Sequence, residues 1–360
     1  MNKKYTVAGL TVLYCSFLAV LFLGVLEFEK FARNWYFENI TRRNVVEINS
    51  VDINECVLGI YRPELPYVFS KTEEIEEGIG EQFNIISFYQ AWGDGEGHTF
   101  PMALMEHVHQ SNRVPMLTWE PWVNRFHSDY LRPMPQREIG LVRDIADGVY
   151  DAYIEQWAKG AVRWGKPFFL RFAHEMSNPQ YPWSPDNKNT EEDFIDAWIH
   201  VRSIFASVGA TNAIWVWSPY KVGDIKYYPG DDYVDWVALD IFNYGDLIQG
   251  NQWARWLTFD QLLTPIYLEL EDIDKPFMIA EVGSVAMGGS REVWYREMFE
   301  QITNKFKKIR AVIFFDNPAD RTSGRKIDWA LNEYDIEEIR GVLPSTCFTF
   351  LGNYKYSLTK

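Results

Sequence analysis

The sequence has little cysteine, and the cysteines it has form no metal or redox motif. Of the three, Cys15 lies in an N-terminal apolar run, while Cys56 and Cys347 are far apart in the chain. No CxxC pair and no zinc-ligand spacing occurs, which argues against a zinc site or a dithiol redox centre. A location outside the cytoplasm would permit a Cys56–Cys347 disulfide, and the sequence leaves that pairing open.

Positive charge is also scarce. The chain has 35 Lys and Arg against 50 Asp and Glu, which gives a formal net charge of −15. Nucleic acids and anionic membrane surfaces are bound mainly through clustered Lys and Arg. The charge balance therefore argues against both as targets of this protein.

Several motifs of other enzyme classes are missing. No glycine-rich phosphate turn follows the first candidate strand, and no P-loop or GxSxG serine elbow occurs. The cluster Glu106, His107 and His109 falls on a predicted helix, where a solvated face is a better interpretation than a set of metal ligands. We therefore predict no cofactor and no bound metal.

A long uncharged run occurs at the N-terminus. Residues 5–26 carry no charge and follow Lys3 and Lys4. A helix of about 20 apolar residues spans a bilayer, and the lysines favour a cytoplasmic N-terminus. We expect a cytoplasmic tip (1–4), a transmembrane signal anchor (5–26) and a juxtamembrane stalk (27–51), with the rest extracytoplasmic. A cleaved signal peptide is the alternative.

Aromatic residues are abundant, with 15 Trp, 20 Tyr and 24 Phe. Such rings fill hydrophobic cores, and they also line clefts in which their faces lie against the apolar C–H faces of sugars. Composition does not separate these two uses.

From residue 52 onward, apolar runs alternate with helical stretches. The runs are predicted strands at 56–61, 83–89, 114–119, 167–173, 213–217, 234–241, 277–280 and 311–315. Continuous apolar runs are typical of parallel strands buried on both faces. Long helices are predicted at 139–164 and 191–208. Eight such units predict a (β/α)8 TIM barrel over 52–345 with a C-terminal tail at 346–360, and a doubly wound open sheet is the alternative.

In a barrel of this kind, the functional site lies at the carboxyl ends of the strands. The residues there are mostly aromatic, acidic or amide: Tyr61, Arg62, Tyr89, Gln90, Trp92, Trp119, Glu120, Trp122, His174, Glu175, Trp217, Ser218, Tyr220, Asp240, Phe242, Asn243, Tyr244, Glu281, Asp316 and Asn317.

Two of these carboxylates follow strands four and seven, which face each other across a barrel mouth. Retaining glycoside hydrolysis needs an acid/base and a nucleophile on either side of the scissile bond, and Glu175 and Glu281 suit those roles. An ion pair with Arg171 is the structural alternative for Glu281. Glu120 is interpreted as a ligand of sugar hydroxyls, with a rim ion pair as its alternative.

Six stretches resemble glycoside hydrolase family 26. They cover about residues 55–335 and read MLTWEPW, GVYDAYIEQWA, RFAHEM with YPW downstream, YYPGDDYVDWVALD, KPFMIAEVG and FFDNPAD…KIDWAL. That family holds retaining endo-β-mannanases and endo-β-1,3-1,4-glucanases on (β/α)8 barrels. The resemblance implies that Glu175 is the acid/base and Glu281 the nucleophile, and that His174 and Trp183 shape the sugar site.

The chain departs from the family pattern in three places. Ser177 stands where Asn usually follows HEM, and Phe242 replaces an aromatic hydroxyl for which Tyr244 is a substitute. The end of strand eight has Phe314 and Phe315 in place of a Trp. These changes bear on substrate identity, and TWEPW is closer to the β-glucanases of the family.

The sequence thus predicts a membrane-anchored retaining endo-β-glycanase acting on a β-linked glucan or mannan, with a polysaccharide synthase or export complex as a candidate partner. The alternative is a non-catalytic glycan-binding accessory of such a system. The predicted catalytic residues are Glu175 and Glu281, and the predicted substrate-binding residues are Arg171, His174, Trp183, Trp92, Trp119, Glu120, Asp240, Tyr244 and Asp316.

Overall fold

The computed structural model describes residues 56–348, except 128–130, 135, 248–254 and 323. The predicted anchor (5–26) and stalk (27–51) lie outside the described residues, as do residues 349–360 of the predicted tail. Within the described part of the chain, no helix combines the length and the apolarity needed to cross a membrane.

Eight parallel strands form a closed barrel in sequence order, in which the last strand pairs with the first. This confirms the predicted (β/α)8 architecture. The strands are β1 (Val57–Tyr61), β2 (Ile85–Ala91), β3 (Val114–Glu120), β4 (Phe168–Phe172), β5 (Ala213–Trp217), β6 (Trp236–Asn243), β7 (Phe277–Ser284) and β8 (Ile309–Phe315).

Helices follow or connect the strands and pack around the barrel. In the described residues they are α1 (Ser70–Ile79), α2 (Met102–Gln110), α3 (Leu141–Ala146), α4 (Asp151–Trp164), α5 (Glu191–Ser207), α6 (Phe259–Leu270), α7 (Arg291–Asn304) and α8 (Glu333–Val342). Short 3-10 turns lie in several loops, among them Val123–Arg125, Pro185–Asn187, Asp224–Tyr227 and Gly245–Leu247.

One predicted helix is wrong in its extent. The stretch 139–164 forms two helices, α3 and α4, because Gly148 between them adopts a left-handed conformation with φ of 86°. An α-helix does not continue through that conformation. The other predicted helix, 191–208, is confirmed as α5, which begins at a capping box formed by Thr190 and Asp193.

The hydrophobic core has two layers, and the strands alternate between them. One layer fills the barrel interior and includes Met116, Phe169, Ala238 and Met278. The larger layer lies between the strands and the helices and contains Trp119, Trp157 and Trp198. Side chains at the carboxyl ends of the inward-facing positions therefore reach the barrel mouth.

Strand β7 departs from strict alternation at Ala280. Opposite β6, Leu239 pairs with Ile279 while Asp240 pairs with Glu281, so Ala280 is an extra residue in the ladder. Ala280 packs in the barrel interior with Met278. The bulge therefore turns the next side chain, Glu281, toward the same interior face, whereas unbroken alternation would turn it outward.

A disulfide closes the end of the barrel opposite the mouth. Cys56, just before β1, is bonded to Cys347, and their Cα atoms are 5.3 Å apart. The backbone N–H of Cys56 also donates to the carbonyl of Cys347 at 2.8 Å. The pairing that the sequence left open is thus present, and it attaches the first residues of the predicted tail to the barrel.

Candidate active site

A fully buried arginine lies at the centre of the barrel mouth. Arg171 on β4 donates to both carboxylate oxygens of Asp240 at 3.0 and 3.1 Å, and its Nε donates to the Thr118 hydroxyl at 2.9 Å. Its other terminal nitrogen forms an ion pair with Glu281. Because both ends of the guanidinium are held, Arg171 fixes the position of Glu281.

Glu281 is held at one of its oxygens. The Tyr89 hydroxyl donates to Oε1 at 2.5 Å, and Arg171 donates to the same atom. The Tyr89 hydroxyl also accepts from Arg171 at 3.3 Å. The ion pair that the sequence suggested as a structural role for Glu281 is therefore present, and it orients the carboxylate at the mouth.

Glu175 follows β4 and is partly exposed. Burial raises the pKa of its carboxyl to about 7, and the negative charge of Glu281 adds to the rise. A hydrogen bond of 2.7 Å from the Asn178 amide and the charge of Arg171 oppose it. Two carboxyl groups that interact in this way share one site, and the raised pKa keeps Glu175 able to donate a proton near neutral pH.

The turn that carries Glu175 has an unusual backbone. Ala173 and Glu175 both have positive φ, at 43° and 49°, a backbone conformation that residues other than glycine rarely adopt. Two hydrogen bonds hold the turn to its neighbours: Ala173 N–H donates to the Trp119 carbonyl at 3.1 Å, and Glu175 N–H donates to the Ser218 carbonyl at 2.7 Å. Such conformations persist where the surroundings impose them, and they cluster at functional sites.

His174 lies behind the two carboxylates and is buried. Burial, with a smaller contribution from the charge of Arg171, holds the pKa of its imidazole well below the usual range, so the ring is neutral. Its Nε2 is 3.0 Å from the Tyr181 hydroxyl. Trp183 donates from its indole to the His174 carbonyl at 2.8 Å and stacks on Tyr181, with ring centroids 4.5 Å apart.

Glu120 reaches the mouth from β3. Burial raises the pKa of its carboxyl to about 7, the charge of Glu281 adds to this, and a hydrogen bond from the Trp122 indole and the charge of Arg171 oppose it. Since the charges of Arg171 and Glu281 both act on Glu120, the three groups belong to one electrostatic unit. Glu120 is partly exposed and thus available to a ligand.

Aromatic residues lie at the carboxyl ends of β1, β6 and β8. Tyr61 stacks on Phe315 with centroids 4.8 Å apart, and Phe242 and Tyr244 contact Trp329 at 4.9 and 5.2 Å. Trp329 lies in the loop after β8 and donates to Asp320 at 3.0 Å. The sequence showed no Trp at the end of strand eight, and this loop supplies one beneath the strand-six aromatics.

Four predicted substrate-binding residues do not face the mouth. Trp92 and Trp119 are fully buried in the outer core, with their rings 4.7 Å apart, because they point away from the barrel axis. Asp316 is also fully buried: it pairs with Arg62 and accepts from the Leu331 N–H at 2.6 Å. Trp183 is 1% exposed, and its contacts are with the Tyr181 ring and the His174 carbonyl.

The other predicted residues come together as expected. Glu175, Glu281, Glu120 and Tyr244 line the mouth, while Arg171, Asp240 and His174 lie just beneath it. Tyr89 was one of the strand-end residues for which the sequence predicted no specific role, and its bond to Glu281 gives it one. Asn178 was missed, because the loop after HEM shows no periodicity that would orient it.

Part of the site lies within a region that matches a known family. The family model described as Glycosyl hydrolase family 26 matches residues 144–318, which include both Glu175 and Glu281. Endoglucanase H of Acetivibrio thermocellus is 31% identical over 273 residues, or 73% of this chain and 27% of that protein. The matched part of the chain belongs to glycosyl hydrolase family 26.

Other curated relatives differ in their named substrates. A mannan endo-1,4-beta-mannosidase of Bacillus subtilis is 29% identical over 152 residues, or 40% of this chain and 37% of that protein. A Beta-1,3-xylanase TXYA of a Vibrio species is 32% identical over 128 residues, or 32% of this chain and 26% of that protein. The chain thus spans about a quarter to a third of the length of these curated relatives.

Solved structures share the barrel at low sequence identity. A GH26 beta-mannanase from Bacteroides ovatus superposes with a TM-score of 0.60 at 13% identity, covering 89% of this chain and 94% of that one. A double mutant of a Cellulomonas fimi endo-beta-1,4-mannanase gives a TM-score of 0.62 at 12% identity, with coverage of 89% and 78%. At these identities the likeness shows the fold alone.

Proposed function

We propose that this protein is a retaining endo-β-glycanase that cleaves a β-linked glucan or mannan. One observation carries the proposal: Glu175 and Glu281 reach the same mouth from β4 and β7, and the charge of one acts on the other. Retaining hydrolysis requires such a pair, with one carboxyl protonated and the other anionic.

The environments of the two glutamates support the proposed roles. Arg171 and Tyr89 both donate to Oε1 of Glu281, which orients this carboxylate for attack on the anomeric carbon. Glu175, with a pKa raised to about 7, protonates the departing glycosidic oxygen. After the sugar is bonded to Glu281, Glu175 acts as a base and takes a proton from water, whose oxygen attacks the anomeric carbon. The bond between that carbon and Glu281 then breaks, which restores the Glu281 carboxylate and releases the sugar.

A β-glucan is the favoured substrate class within this proposal. The TWEPW stretch resembles the glucanases of the family, and the relative named an endoglucanase matches over 73% of this chain. Glu120, partly exposed beside the catalytic pair, is proposed to bind a sugar hydroxyl. The partly exposed rings of Phe242 and Tyr244 offer apolar faces to the sugar.

The location is part of the same proposal. The uncharged run at 5–26 supports a membrane anchor with the barrel outside the cytoplasm, and a disulfide suits an oxidising compartment. An anchored glycanase is suited to trimming a polysaccharide during its synthesis or export. Retention of the full chain in membranes after an alkaline wash tests the anchor, and its release into the soluble fraction would contradict it.

The catalytic assignment is tested by single substitutions and product analysis. Incubation of the purified chain with barley β-glucan and with mannan is expected to release oligosaccharides from one of them. Glu281→Ala and Glu175→Ala are each expected to lower turnover by several orders of magnitude, whereas Glu106→Gln, which alters an ion pair on α2, leaves it near wild type.

Azide distinguishes the two roles. In Glu175→Ala, azide is expected to attack the glycosyl-enzyme and give a β-glycosyl azide, while in Glu281→Ala it attacks the substrate directly and gives the α-anomer. The opposite pattern of products would make Glu281 the acid/base and Glu175 the nucleophile. If the wild-type chain binds these polysaccharides but shortens neither, the non-catalytic glycan-binding alternative replaces the glycanase.

A further inference from the structure

A buried aspartate outside the catalytic pair joins two loops at the mouth. Asp224, at the start of the 3-10 turn Asp224–Tyr227 after β5, is 1% exposed. Its Oδ2 accepts from the Ser177 hydroxyl at 2.8 Å and from the backbone N–H groups of Tyr220 and Lys221 at 2.9 and 3.2 Å. A single carboxylate oxygen thus connects the loop after β4 with the loop after β5.

These two loops also meet at the proposed acid. The N–H of Glu175 donates to the carbonyl of Ser218, two residues before Tyr220. Glu175 has a left-handed backbone conformation that the surroundings must impose. The Ser218 carbonyl and the Asp224 carboxylate therefore hold the turn that carries Glu175 at two points, residues 175 and 177.

The inference rests on the proposed function, because it concerns the placement of the acid in that reaction. We propose that Asp224 is a positioning residue, which through Ser177 holds the turn of Glu175 so that its carboxyl points at the departing glycosidic oxygen. Ser177 is one of the positions at which this chain departs from its family, and the bond to Asp224 gives that departure a role.

Asp224 also acts on Glu175 through its charge. Its carboxylate adds to the rise in the pKa of Glu175, together with burial and Glu281, while Asn178 and Arg171 act in the opposite direction. The other titratable groups that interact with Glu175 are Tyr181, Tyr220, Tyr244 and Asp240. Removing the charge of Asp224 is therefore expected to lower the pKa of Glu175.

The test compares two substrates that differ in their need for an acid. The dinitrophenolate group leaves its glycoside without protonation, whereas the phenolate group needs a proton from Glu175 to leave. For Asp224→Ala we expect kcat/KM on phenyl β-cellobioside to fall about 10- to 100-fold. This is a part of the roughly 10²- to 10⁴-fold that a general acid contributes. On 2,4-dinitrophenyl β-cellobioside, kcat/KM should stay within about threefold of wild type. If the wild-type chain cleaves mannan faster than β-glucan, the corresponding mannobiosides replace these two substrates.

Two milder variants cover the case in which Asp224→Ala does not fold. Asp224→Asn keeps an oxygen that can accept the three hydrogen bonds but removes the charge. We expect it to restore most of the phenyl glycoside rate and to move the alkaline limb of kcat/KM to lower pH. Ser177→Ala removes one donor and should lower the phenyl glycoside rate alone, by less than Asp224→Ala.

Glu269→Ala is the matched control. Glu269 on α6 accepts from the N–H groups of Gly223 and Ile225 in the same loop. It thus supports the loop without touching the turn of Glu175. This variant should change both substrates by the same factor.

The outcomes separate the two hypotheses. Equal losses on both glycosides in Asp224→Ala, no loss on the phenyl glycoside in Ser177→Ala, or a selective loss in Glu269→Ala would each overturn the positioning role while the glycanase proposal stands. A wild-type chain inactive on every glycoside and polysaccharide would refute the glycanase proposal, and the role of Asp224 with it.

Discussion

Glu175 and Glu120 end neighbouring strands, and burial raises the pKa of each to about 7. The proposed mechanism needs Glu175 protonated, so activity should fall as the pH rises through about 7. Asn178 donates to Glu175 and favours its anion, so Asn178→Ala should move the alkaline limb of kcat/KM to higher pH. A pH–rate profile of both proteins measures this shift. An unmoved limb would assign the titration to Glu120, which Asn178 does not contact.

Tyr89 provides a second prediction for a single residue. Its hydroxyl donates to Oε1 of Glu281 and accepts from Arg171. Tyr89→Phe removes one of the two donors to that oxygen and leaves the ring in place. We expect kcat to fall about 10-fold or more, since a hydrogen bond to a charged group is worth about 1.5–3 kcal/mol. Tyr67→Phe, on an exposed ring, is the control, and similar rates for both variants would show that the bond is catalytically unimportant.

At the scale of elements, the sequence predicts the strands well and the direction of some side chains poorly. Continuous apolar runs located all eight strands, and the carboxyl ends brought Glu120, Glu175 and Glu281 to one mouth. Strict alternation along β7 would turn Glu281 outward, and the extra residue Ala280 turns it toward the barrel interior. The predicted strand 114–119 likewise gave no means to tell which of Trp119 and the following Glu120 points inward.

Long-range contacts were also outside the reach of the sequence. Trp329 contacts Phe242 from a loop far along the chain, and Asp224 binds Ser177 on another loop. Neither contact has a spacing or a periodicity that could reveal it. The family resemblance fixed the catalytic pair because its motifs are local, whereas the groups that support the pair come from several strands and loops.

The break between α3 and α4 leads to a prediction about stability. Gly148 has φ of 86°, and a Cβ there would lie 2.9 Å from Oδ2 of Asp151. We expect Gly148→Ala to lower the free energy of unfolding by about 1–2 kcal/mol, since a left-handed alanine is strained. Urea denaturation measures this change. Gly341→Ala in α8, where the added Cβ meets nothing within 4 Å, is the control and should be neutral or stabilising. Equal effects in the two would contradict the role of the left-handed turn.

At the scale of the whole molecule, contacts between distant parts of the chain cross-link the barrel near each of its two ends. At the mouth, Arg171 joins β4 to β6 and β7 through Asp240 and Glu281. At the opposite end, the Cys56–Cys347 disulfide joins the residue before β1 to the segment after α8, across a sequence separation of 291. The first group of contacts serves the proposed chemistry, whereas the disulfide lies away from it. Stability and catalysis should therefore respond separately to changes at the two ends.

Removal of the disulfide tests that separation. A cross-link that closes a loop of this length limits the unfolded chain strongly, and loss of a native disulfide typically costs about 2–5 kcal/mol. We expect Cys56→Ser with Cys347→Ser to unfold at a clearly lower temperature, and a reductant to have the same effect on the wild-type chain. At a temperature where the variant is still folded, its kcat and KM should match wild type, because neither cysteine contacts the residues of the mouth. A thermal unfolding series with and without reductant, read beside activity, separates the two effects. A variant that keeps its unfolding temperature, or that loses activity while folded, would show that the two ends are not independent.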